Sequence, residues 1–126
     1  MTDEITLTIP REPGFEGVAH LVLSGLAVRL NLTIENLEDV QVALEGLLAR
    51  ADGEITVAVR LDVDGLGLNV GPFEGERLRR EFADERAEVG LRRVLETVAD
   101  RVELIDRDDG CWVDLRKRVE RVERVE

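Results

Sequence analysis

Residues 33–51 read TIENLEDVQVALEGLLARA, and the spacing of their apolar positions decides the fold. At about 100° per residue, Leu37, Val40, Leu44, Leu47, Leu48 and Ala51 form one stripe. Asp39, Gly46 and Arg50 lie opposite it, and Glu38, Gln41, Glu45 and Ala49 form a neighbouring ridge. The pattern predicts an amphipathic helix half-buried against other elements, with Thr33 as its N-cap and Glu35 and Glu38 favourable near the positive end of its dipole. A glycine on the far side of such a helix marks a place where another group can come close.

Before this helix, ITLTI at residues 5–9 alternates in the period of a strand and is closed by Pro10 and Pro13-Gly14. Residues 15–30 turn helical, with Phe15, Ala19, Val22, Leu26 and Leu30 on one face and a narrow polar strip of Glu16, His20 and Ser24. Leu21 and Val28 fall outside the main stripe. A helix apolar on more than one side has to bury more than one side, here against the sheet and a second subunit.

After the central helix, residues 54–63 read as a strand, Asp64-Gly65 as a hairpin turn, and residues 66–70 as the returning strand. Gly71-Pro72 is expected to end it, because proline cannot donate to a ladder. Residues 74–93 are highly charged and weakly periodic. They are read as a short helix, a mobile connection and the start of another helix, which Val94, Leu95 and Val98 continue. Residues 102–105 and 111–115 flank the turn Asp108-Asp109-Gly110 as a second hairpin. Hairpins separated by helices predict an α+β, two-layer sandwich: a mixed, mostly antiparallel sheet with its helices on one face. Residues 1–118 make one domain, followed by a charged, solvated tail at 119–126 within the repeated RVE triplets.

A chain of 126 residues, 44% of them hydrophobic, is long enough for one packed core. Its formal charge of −11 repels phosphate backbones and anionic membranes, and aromatic content of 3% offers no platform for stacked bases. Nucleic acid and membrane are therefore excluded as partners, in favour of proteins or small ligands. No apolar run reaches the roughly 18 residues of a span, and no secretory signal opens the chain, so a cytoplasmic protein is expected. Cys111 is the single cysteine and His20 the single histidine, so neither an internal disulfide nor a zinc cluster can be assembled. The thiol is read as structural.

Two constellations invite a chemical reading and fail it. Glu16, His20 and Ser24 follow at helical spacing, but successive turns spread the three groups along about 12 Å, too far for a nucleophile, base and orienting acid. Asp62, Asp64, Gly65 and Gly67 resemble pieces of calcium and phosphate loops. A calcium loop needs more oxygen ligands and a closing glutamate, and a phosphate loop must lead into a helix, so turn chemistry is the better reading.

The order of elements and several local strings resemble the anti-sigma-factor kinases of the RsbW type, in the GHKL or Bergerat-fold (histidine kinase-like) ATPase superfamily. ITLTIP at 5–10 leading into LSGLA at 23–27 resembles that family's opening strand and helix, while ADRVE at 99–103, a hairpin and VDLRK at 113–117 resemble its close. The resemblance implies ATP and magnesium, held by a glutamate and, four residues later, an asparagine on the central helix. EDVQVA at 38–43 matches the approach to that motif and places Gly46 at the glutamate and Arg50 at the asparagine. Neither residue has the chemistry, because the first position needs a general base and the second an oxygen ligand for the metal. A one-residue shift brings Glu45 to the base position but puts Ala49 at the metal. The adenine-binding aspartate is replaced by the Gly71-Pro72 region, and of the phosphate-cradling lid only Gly90-Leu91 remains.

The resemblance thus implies a regulator that binds a sigma factor or an anti-sigma antagonist, expected as a homodimer, with ATP binding and kinase activity lost. The alternative is an active serine/threonine kinase with Glu45 as base and Asp39 or Glu38 helping to hold the metal. A third reading is an acidic binding domain in which Arg50 pairs an anion beside Gly46.

Overall fold

A computed structural model describes residues 3–10, 17, 20–22, 24, 25, 28, 32–51, 53–62, 65–84 and 90–118. The elements run β1 (Asp3–Ile9), α1 (Ile34–Leu48), β2 (Ile55–Asp62), β3 (Gly65–Phe73), α2 (Gly75–Ala83), α3 (Leu91–Val98), β4 (Arg101–Arg107) and β5 (Gly110–Lys117). Gly17, His20, Leu21, Val22, Ser24, Gly25 and Val28 are helical, as the spacing predicts for that stretch.

The five strands are ordered β1-β2-β3-β5-β4. Every described pairing is antiparallel, so the parallel component of the expected mixed sheet does not occur among the described strands. The reason lies in the connections. β2 and β3 form a hairpin, α2 and α3 carry the chain to the far edge as β4, and a second hairpin returns β5 to the place beside β3.

One face of the sheet is apolar. In β2 the alternating Ile55, Val57, Val59 and Leu61 are buried, and Leu66, Leu68 and Val70 of β3 and Val113 and Leu115 of β5 extend the same layer. Val40, Ala43, Leu44 and Leu47 of α1, Leu78 of α2, and Leu91 and Leu95 of α3 join them in one core cluster. Helices α1, α2 and α3 therefore share one sheet face, giving the expected α+β sandwich. Among the described residues the core cluster is aliphatic apart from Cys111 and Phe73, with Phe82 packed against it, while Trp112 is buried on the other sheet face.

Thr33 caps α1 as expected, its hydroxyl accepting from the Asn36 N–H at 3.1 Å, an interaction typically worth about 1 kcal/mol. The helix is shorter than the 33–51 pattern. Arg50 N–H donates to the Leu47 carbonyl and Ala51 N–H to that of Leu48, bonds spanning three residues that tighten the chain into a turn after Leu48. At the other boundary, β1 begins at Asp3, before the predicted Ile5, because Asp3 and Glu4 pair with Leu61 and Arg60.

The expectation that Gly71-Pro72 ends the strand is overturned. β3 continues to Phe73 through an irregularity between Val70 and Phe73, where Pro72 has no partner in the β5 register. Its missing N–H therefore costs no ladder bond. Gly71 pairs with Thr56 on the β2 side, and a β-carbon there would lie 2.5 Å from the Trp112 ring. Gly65 sits at φ +130° at the start of β3, a conformation that favours glycine. Asp64 of the predicted turn, the connection at 85–89 and the tail at 119–126 lie outside the described residues. No helix of the described residues is long and apolar enough to cross a membrane.

Leu47 has no exposed surface, so Leu47→Ala is expected to lower unfolding free energy by about 2–5 kcal/mol, measurable from the urea midpoint at unchanged slope. Burial pushes the Cys111 thiol above its ordinary range. The unfolded chain then gives up this proton at lower pH than the folded one, and stability contributed below the ordinary thiol range falls as pH rises through it. Urea midpoints measured across alkaline pH are expected to show this fall in the natural chain and to lose that component in Cys111→Ala.

Candidate functional site

The polar side of α1 is where the sequence placed a nucleotide site, and the chain's own side chains meet there. Gly46 is partly buried, and a β-carbon added to it would lie 3.5 Å from Leu91 Cδ1. Leu91 is 2% exposed and opens α3, directly after Gly90, which caps that helix without a side-chain hydrogen bond. The group that approaches the bare side of α1 is thus a leucine from the remnant of the expected lid.

Arg50 lies just past α1. Its Nε donates to Glu81 Oε2 of α2 at 2.7 Å, and its Nη1 donates to the Gly46 carbonyl at 2.8 Å. The two side chains retain 30% and 34% exposure, so solvent screens the pair to about 0.2–1 kcal/mol. Its geometric effect is clear: it ties the end of α1 to α2 and holds the guanidinium back against its own helix. A mirror of this link stands at the other end. Lys117 Nζ of β5 contacts Asp39 Oδ2 at 2.9 Å and donates to the Val98 carbonyl at 3.0 Å.

Gly46, Arg50 and the Gly90-Leu91 step are therefore brought together. Pro72 is placed elsewhere: its Cβ stands 3.0 Å from the β-carbon position of Gly110, against the last hairpin. Glu45 is exposed. Asp39 and Glu45, six residues apart on a helix, differ by about 240° and about 9 Å, so a single metal ion does not reach both. Asp39 already holds Lys117. Among the described residues no group of three or more His, Cys, Asp or Glu side chains is placed to hold a metal. A magnesium-bound nucleotide does not fit these positions, since Gly46 supplies no base and the Arg50 guanidinium is positive and lacks an acceptor.

The other constellations resolve simply. Ser24 Oγ donates to the His20 carbonyl at 3.0 Å, and the His20 ring meets Gln41 Nε2 of α1 at 3.2 Å. The serine and histidine thus have separate partners, while Glu16 lies outside the described residues. Asp62 pairs with Arg116 across the sheet at 3.7 Å. Glu81 and Lys117 were missed as site residues by sequence reading, and Leu91 was read only as part of the lid remnant. Leu91 and Leu95 at a four-residue spacing carried a legible signal, whereas nothing local marks Glu81 as the partner of Arg50.

No family model matches the chain. The serine-protein kinase RsbW of Listeria innocua serovar 6a is 31% identical over 141 aligned positions, covering 94% of this chain and 89% of that protein. The serine-protein kinase RsbW of Bacillus pumilus is 29% identical, covering 98% of this chain and 90% of its own length. An alignment of 141 positions exceeds the 126 residues of this chain, so the Listeria relative carries residues opposite gaps here. Among solved structures, the RsbU and RsbW domains of Rv1364c from Mycobacterium tuberculosis superpose with a TM-score of 0.71 at 16% identity. That match covers 97% of this chain, which spans 34%, about a third, of the Rv1364c chain.

A β-carbon at Gly46 meets Leu91 only at ordinary contact distance. Gly46→Ala is accordingly expected to be accepted and to raise stability by about 0.5–1 kcal/mol, the usual gain in a helix interior, read as a higher urea midpoint.

Proposed function

We infer the function from one premise: the chain belongs to the RsbW family of serine-protein kinases, which is GHKL-type. Within that family we propose a regulator of transcription or stress signalling that acts by binding a protein partner, a sigma factor or an anti-sigma antagonist, without ATP binding or phosphoryl transfer. The observation that carries this reading is Leu91 seated on Gly46. At the position where the family resemblance asks for a catalytic carboxylate, the chain offers an apolar contact between two of its own helices.

The neighbouring positions support the same reading. Arg50 is engaged by Glu81 and the Gly46 carbonyl, so a positive charge stands where a metal ligand is needed. A protein partner is supported by apolar side chains that the chain itself leaves uncovered. Leu21 is 72% and Val28 76% exposed, and seven positions apart on a helix they face the same way. Such a face suits a homodimer or a partner helix. Residues 1–118 are taken as one domain, at work in the cytoplasm.

An active kinase with Glu45 as base is the competing reading, favoured by the names of the relatives, each a serine-protein kinase. Calorimetric titration with ATP, with and without magnesium, separates the two. The expected result is no magnesium-dependent binding and no phosphate transfer to a serine-containing partner. Micromolar, magnesium-dependent binding, or transfer that disappears in Glu45→Ala, would overturn the proposal.

A further inference from the structure

The sheet face opposite α1, α2 and α3 carries a hollow of about 350 Å³, within the size range of small-ligand sites. One cross-strand row crosses it. Glu4, Arg60, Gly67, Arg116 and Arg101 stand opposite one another from β1 to β4. Gly67, in the middle, has no side chain, and the Arg116 guanidinium lies 3.7 Å from where its β-carbon would be. Arg60 approaches from the other neighbouring strand. Backbones about 4.8 Å apart on each side of Gly67 bring two long cationic side chains over a floor of bare backbone.

The charges there run against the rest of the molecule. Arg60, Arg107 and Arg116 line the hollow with only Glu4 and Asp114 as acids, in a chain of net charge −11. The acids neutralise the arginines only in part. Glu4 faces Arg60 in register, yet the Arg60 side chain has no ion-pair partner among the described residues. Asp114 accepts from Asn69 Nδ2 at 3.3 Å. Arg116 is ion-paired with Asp62 at 3.7 Å, longer than a hydrogen bond, so its N–H groups do not donate to that carboxylate. A second hollow, lined by Asp100, Arg101, Arg116, Lys117 and Arg118, continues the positive rim. Asn69 Oδ1, on the floor, is a buried acceptor that no donor among the described residues reaches. That acceptor calls for a hydroxyl or N–H donor, not for an anionic oxygen.

We propose that this hollow binds a small oxyanion-bearing ligand, a carboxylate or a phosphate ester, with its anionic group between the Arg60 and Arg116 guanidinia above Gly67. A guanidinium fork gives two parallel N–H bonds to one carboxylate or phosphate, the strong mode of arginine recognition. The site lies on the opposite side of the sheet from Gly46 and Arg50, so it is independent of the nucleotide positions.

Trp112 lines the hollow and is the single tryptophan of the chain, so its fluorescence reports occupancy. The test titrates malonate and inorganic phosphate at constant ionic strength. Saturable binding is expected for at least one probe, malonate marking a carboxylate ligand and phosphate a phosphate ester. Arg60 is exposed, and Arg60→Ala should weaken binding at least about tenfold without changing the urea midpoint. Gly67→Ser, which fills the floor where a β-carbon meets only ordinary contacts, should do the same. Arg80→Ala, on the helical side, should leave it unchanged. Failure of both probes to saturate, or equal binding by Arg60→Ala and the natural chain, would overturn the proposal.

Discussion

The architecture around α1 depends on the packing of Leu91 against the Gly46 side of that helix. A helix approaches another closely only where one surface is depressed, and the two must still exclude water. Leu91 meets both demands by bringing an aliphatic side chain to the bare side of α1. α3 is then seated, Leu95 reaches the core with no exposed surface, and the chain leaves α3 in position to enter β4. A catalytic carboxylate at this point would have needed an open, wet cleft, and the same volume cannot serve both ends.

Ionic links at the two ends of α1 follow the same logic of holding helices together. Arg50 with Glu81 and Lys117 with Asp39 are half-exposed and contribute modestly to stability. Their value is directional. Each fixes how far a neighbouring element can slide along α1, which the smooth aliphatic core leaves weakly defined. Lys117 adds a bond to the final carbonyl of α3, where a cation also complements the negative end of the helix dipole.

Most of the fold was legible because it rests on periodicity. The alternation in β2, the Asp-Asp-Gly turn and the stripe on α1 each follow from local spacing, and the structure places them within a few residues of the reading. Two departures came from contacts that spacing does not encode. Proline was expected to end β3, but a strand can pass through proline where the ladder is already interrupted. The end of α1 was drawn too late because Ala51 continues the apolar stripe even though the backbone has begun to turn. At the candidate site, Gly46 and Arg50 were found by comparison with a motif. What fills the space beside them is a tertiary fact: Leu91 and Glu81 come from elements more than thirty residues further along.

The strand order also sets an assembly sequence. β2 with β3 and β4 with β5 are neighbours in the chain, so each hairpin closes a short loop at low entropic cost. β1 pairs with β2 across an intervening stretch of more than forty residues, and β3 waits for β5 across both α2 and α3. During synthesis β1 therefore leaves the ribosome long before its partner exists, with alternating Ile5, Leu7 and Ile9 that have nothing to cover them. Asp3 and Glu4 at its head, and the threonines between its apolar residues, keep that waiting segment charged and polar. The composition of β1 thus guards the nascent chain against pairing with the wrong strand.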